Sequence, residues 1–265
     1  MDLREYIKNH PDNIFGHETV SESLNVEKEY SRFSRNPLDK FLNTVKNDDA
    51  SFINNDIKLY QQAYSNYILT YLRVLRHCSL ARRAEQSLHG QRARKKSLFK
   101  INKEIKSTGE FQLLDYQNIL IHACILLNRT ITLSRRFLRG KNLPSFTSFS
   151  QHKIFLRNNP EALDNDFKEY RNKIINTTDW YEIPLKILRD KYLMHSAERH
   201  MSLLGWSSSQ MWEQEMIVMI SNAKDKNIFF ESVKIIVFSP RRLARDLDEF
   251  LKWFSENALK ATSNT

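Results

Sequence analysis

Apolar residues recur along this chain at helical spacing. Ile57, Tyr60, Tyr64, Tyr67, Tyr71, Val74 and Cys78 follow one another at alternating steps of three and four, which predicts a helix seam packed against a partner. A second seam of the same kind runs through Leu113, Tyr116, Leu120, Ala123, Leu127, Thr130, Ser134 and Phe137. Two long helices with matching seams, joined across roughly residues 85 to 110, are expected to pack as an antiparallel pair. At this spacing the tyrosines read as core and groove filling rather than as a ligand platform.

The C-terminal third has a different texture. A helix is expected from about Glu161 to Ile175 and another from about Tyr181 to Ala197. Two β-rich runs follow, Met216 to Ile220 and Val233 to Phe238, and they predict a short antiparallel hairpin over about 214–238. The last helix, about Pro240 to Ala258, carries Leu243, Leu247, Phe250, Leu251 and Phe254 on one face. Three dipeptides, Asn36-Pro37, Asn159-Pro160 and Ser239-Pro240, read as helix starts. The polar side chain caps exposed amides, and Pro at the first helical position forfeits no hydrogen bond. The fold class expected is mainly α: a helical bundle with a long antiparallel helix pair and a small C-terminal β-hairpin. Residues 1–48 read as an N-terminal extension with short helices, loosely ordered over 1–35, and 49–265 as one bundle.

Composition narrows this further. With only 5 Gly and 6 Pro in 265 residues, the tight turns of an all-β fold are hard to supply. Cys78 and Cys124 both lie inside apolar helical patterns, so buried thiols are expected rather than a disulfide or a metal site. No CxxC, HxxxH or HExxH spacing occurs, no glycine-rich phosphate loop is present, and no cofactor or metal is implied. The N-terminal MDLREYIKNHPDN is too polar for a signal peptide. The run from Ile119 to Leu127 is too short to span a bilayer, so a cytoplasmic protein without a membrane partner is expected.

Charge changes the picture most. Residues 73–106 hold eleven basic side chains, Arg73, Arg76, Arg82, Arg83, Arg92, Arg94, Lys95, Lys96, Lys100, Lys103 and Lys106, against two acids, Glu85 and Glu104. The chain as a whole carries +10, so nearly all of its surplus sits in this tract. A concentrated surplus attracts polyanions, of which phosphate backbones are the commonest in a cell. The tract is expected at the tip of the helix pair or on a mobile loop there. Arg82, Arg83, Arg92, Arg94, Lys95, Lys96 and Lys100 are its candidate contacts to RNA or another polyanion.

One short segment bears on chemistry. Leu188-Arg189-Asp190-Lys191-Tyr192-Leu193-Met194-His195 resembles the signature of the HEPN superfamily, an Arg followed by a polar residue and then a His four to six residues on. Many members of that superfamily are small helical ribonucleases of toxin–antitoxin and anti-phage systems. The resemblance covers about eight residues in detail and roughly residues 110–260 in architecture. It implies a homodimer, metal-independent RNA cleavage leaving a 2′,3′-cyclic phosphate and a 5′-hydroxyl, and a partner protein such as an antitoxin. In that reading His195 moves the proton and Arg189 grips phosphate oxygens. Asp190 orients Arg189, while Lys191 and Arg199 add phosphate contacts.

The same residues admit a plainer reading. Leu185, Leu188, Tyr192 and His195 continue one apolar stripe, so His195 also fits a core position, with Arg189 paired to Asp164 or Asp166. Arg4/His10 and Arg83/His89 show the same spacing without a helical setting of that kind. A non-enzymatic adaptor that uses the 73–106 tract to bind nucleic acid or an acidic partner is therefore the alternative function.

Overall fold

The computed structural model describes residues 31, 35–45, 51–92, 98–136, 146–160, 168–176, 185, 201–210, 213–221 and 233–263. Side chains are described for 31, 35–45, 54–78, 113–134, 146–160, 168–176, 185 and 238–260. The fold is mainly α. Its helices are α1 (Asp39–Val45), α2 (Ser51–Arg92), α3 (Leu98–Thr132), α4 (Phe149–Asn158), α5 (Lys168–Asn176) and α6 (Pro240–Ser263). A 3-10 turn, Leu133–Arg136, ends α3.

The two seams meet as their spacing predicts. Tyr60, Tyr67, Tyr71, Val74 and Cys78 of α2 are buried, as are Tyr116, Leu120, Ala123, Leu127 and Thr130 of α3. Arg73 bonds Asp115 and Cys78 meets the Tyr116 hydroxyl at 3.3 Å, and with only residues 93–97 between them two helices in such contact run antiparallel. Both reach further than expected. The junction shrinks from about 85–110 to residues 93–97, and helical backbone carries most of the basic tract. Arg and Lys are good helix formers, and no Pro interrupts either run.

The bundle closes around this pair. Leu38, Phe41, Leu42 and Val45 join the same core as α6, which buries Leu243, Leu247, Phe250, Leu251 and Phe254. Asn36 organises the entry to α1: its Oδ1 accepts from the Leu38 amide at 3.1 Å and from the Tyr60 hydroxyl at 2.8 Å. At the far end Phe149 packs edge-on to Phe250, and Tyr170 stacks on Trp253 at 5.2 Å.

Ser239 starts α6 as its sequence implies, its Oγ accepting from the Arg242 amide at 3.1 Å. Asn159-Pro160 has helical backbone on both sides, with Pro160 opening a 3-10 turn. Asn159 ends α4, its Nδ2 and its backbone N–H both donating to the Phe155 carbonyl at 2.9 Å. The start of α4 is capped by Ser148, whose side chain accepts from the Gln151 amide. The helix expected from Glu161 is described only as α5, Lys168–Asn176. The helix expected over 181–197 lies outside the described residues apart from Leu185, which is fully buried.

The strands also differ from expectation. In place of an isolated hairpin the backbone forms a three-stranded antiparallel sheet, β1 (Met201–Gln210), β2 (Glu213–Ser221) and β3 (Val233–Phe238), in that order. Met216 pairs with Phe238 and Met201 with Ile220. β1 escapes a sequence reading because its Ser-rich stretch lacks the β-branched residues that mark a strand. Phe238, buried against Tyr116 with ring centroids 5.8 Å apart, ties the sheet to the helix pair.

Candidate nucleic-acid interface

Past Arg76 the basic tract rides on the helix pair beyond its last described core contacts. From Cys78 to Arg92 the backbone of α2 stays helical, which carries it about 21 Å further at the α-helical rise. Arg82, Arg83 and Arg92 lie on that length, and Lys100 lies on the returning helix, with Lys103 and Lys106 at steps of three along it. Arg94, Lys95 and Lys96 lie outside the described residues. Of the two expected settings, the tip of the helix pair rather than a mobile loop fits most of the tract, which forms two helical arms.

The root of these arms holds an ion cluster that the sequence did not announce. Asp115 is completely buried. Its two oxygens accept from Arg73 Nη2 at 2.5 Å and from His77 Nδ1. Arg73 and His77 stand one turn apart on α2, so both reach across to the same carboxylate. A buried carboxylate needs such partners, since desolvation of an unpaired charge costs several kcal/mol. The Arg73 side chain stays half-exposed. His122, two turns along α3 from Asp115, has its pKa lowered by burial and by the nearby Arg73 charge, so its imidazole is neutral at neutral pH. The signal for the cluster lies in the chain: Asp115 is the lone carboxylate in the apolar run from Leu113 to Thr132. A seam is traced through its apolar positions, and that tracing passes over the acid beside Tyr116.

Arg189, Asp190, Lys191, His195 and Arg199, expected to carry cleavage, lie outside the described residues, as do Asp164 and Asp166. Among the described residues no group of three or more His, Cys, Asp or Glu is placed to hold a metal ion. No described helix is long and apolar enough to cross a membrane. Cys78 and Cys124 are buried and form no disulfide. A small cleft at the other end of α3 is lined by Asp56, Ile125, Asn128, Thr132, Phe146 and Thr147, among others. Comparison with protein-family models, with curated proteins and with solved structures gives no match.

Proposed function

We propose that this protein binds RNA in the cytoplasm through the basic arms of its α2–α3 pair, with the phosphate backbone as the ligand. The observation that carries this is the concentration of eleven basic residues against two acids over 73–106, most of it on helical backbone rooted by a buried Asp115. Helical backbone spaces these residues along the arms, which favours an extended polyanion over scattered counterions. Binding of labelled RNA should weaken steeply with salt. Arg82→Ala/Arg83→Ala and Lys100→Ala/Lys103→Ala should each lower both affinity and the salt slope, by roughly one unit of slope for each phosphate no longer gripped. Wild-type affinity in both variants would reject the arms as the binding surface.

A second reading makes the bound RNA a substrate, and the Arg189-Asp190-Lys191…His195 segment favours it. In that reading the ribose 2′-oxygen attacks phosphorus and the bond to the 5′-oxygen breaks. His195 transfers the proton, while Arg189 steadies the charge on the phosphoryl oxygens. A toxin or phage-defence ribonuclease, held in check by a partner protein, would have this chemistry. Purified protein should then cut tRNA or mRNA in EDTA, and His195→Ala should not. If neither cuts while both bind RNA, the adaptor reading stands.

A further inference from the structure

The outward face of α3 carries a second seam. Among the described residues the exposed large hydrophobics are Leu114, Ile121, Ile125 and Ile154, and the first three stand on one line of α3. Asn118, Asn128 and Thr132 complete it, so that 114, 118, 121, 125, 128 and 132 alternate steps of four and three. This line lies roughly 160° around the helix from the inner seam through Tyr116, Leu120 and Ala123. It is also bare of charge. From Tyr116 to Asn128 there is no Asp, Glu, Lys or Arg, in a chain of which 27% is charged. A helix that is apolar or neutral on both faces is ordinarily covered on both.

We infer that a second copy of this chain covers it, packing α3 against α3 in antiparallel fashion about a two-fold axis at residue 123. The seam is symmetric about that point. Ile121 and Ile125 are equidistant from it, as are Asn118 and Asn128, and Leu114 and Thr132. The axis therefore sets Ile against Ile and Asn against Asn, each contact made twice, as a closed dimer requires. The Asn118 side chain makes no hydrogen bond among the described residues. Asn128 spends its Oδ1 on the Phe149 amide at 2.9 Å, but its Nδ2 reaches only Cys124 Sγ at 3.8 Å. Asn118 of one copy can accept from Asn128 Nδ2 of the other, and a polar pair inside an apolar seam fixes register. Leu114 of the second copy arrives opposite Thr132, where the cleft bounded by Asn128, Phe146 and Thr147 opens. Charge selects the direction. A parallel pair would set the two basic arms side by side, and the antiparallel pair sends them to opposite ends.

The test is the solution mass of the full chain, by sedimentation or light scattering at micromolar concentration. The expected mass is twice the 31.5 kDa of one chain. Ile121→Glu, at an exposed site, should raise the dimer dissociation constant by more than roughly tenfold, with the helical circular dichroism unchanged. Adding Ile125→Lys should restore the dimer, because the antiparallel register places each new Glu opposite a new Lys. Ile154→Glu, exposed on α4 and off the line, should leave the mass unchanged. A monomeric wild type would overturn the proposal, as would a dimer indifferent to Ile121→Glu. Failure of the Lys rescue would overturn the antiparallel register, and the proposal with it. RNA binding by Ile121→Glu reads the arms separately, so loss of the dimer and loss of the RNA reading are distinguishable.

Discussion

Individual residues in the core set how stability responds to acid. His152 is fully buried, with Nε2 3.0 Å from the Tyr170 hydroxyl and its ring edge-on to Phe146. Burial lowers its pKa to about 3. An unfolded histidine takes up its proton near pH 6.5, so between those values the unfolded chain binds the extra proton. Stability contributed at this site is intact above pH 6.5 and falls by about 1.4 kcal/mol per pH unit below it. The urea midpoint of His152→Gln should therefore be lower than wild type at pH 7, and the gap should narrow steadily towards pH 4. Tyr67 carries the opposite lesson. Its hydroxyl is buried with no partner among the described residues, and burial drives its pKa far up. Tyr67→Phe should raise the unfolding free energy by about 1 kcal/mol in the same urea titrations. Asp115→Ala should lower it by about 2 kcal/mol, a loss moderated by the half-exposure of Arg73.

At the scale of elements, caps decide what could be read in advance. Ser239-Pro240 was legible because the serine oxygen accepts an amide, and Ser239→Ala should cost about 1 kcal/mol in thermal or urea unfolding. At Asn159-Pro160 the proline opens a 3-10 turn, but the asparagine also closes the helix before it. An asparagine has a donor as well as an acceptor, and here Nδ2 turns back to a carbonyl at the end of α4. The two seams foretold the α2–α3 pair because packing repeats at helical period. They could not foretell its length, since beyond Cys78 no seam constrains the reading and only backbone propensity remains. The outer line of α3 was equally written in the sequence. It became visible only once the inner face was known to be satisfied. For the candidate interface, the basic tract was legible from charge alone, whereas the Arg73–Asp115–His77 cluster needed two helices brought together.

For the whole molecule, the antiparallel dimer and the basic arms have a joint consequence. The start of α3 at Leu98 lies 25 residues from the proposed axis, so the two arm ends would stand roughly 75 Å apart. An RNA long enough to meet both should bind more tightly than a short one, and the excess should vanish in Ile121→Glu. Comparing short and long RNAs at fixed salt on both proteins measures this directly.

The position of the two thiols gives the molecule a built-in clock. Cys78 belongs to one long helix and Cys124 to the other, and both are closed off from solvent. Cys78 meets Tyr116 across the pair, so a reagent reaches it only when the pair opens and its alkylation rate counts openings. Opening of the helix pair can then be timed without any engineered label. RNA that grips both arms at once should slow that clock, and RNA held by one arm should leave it running.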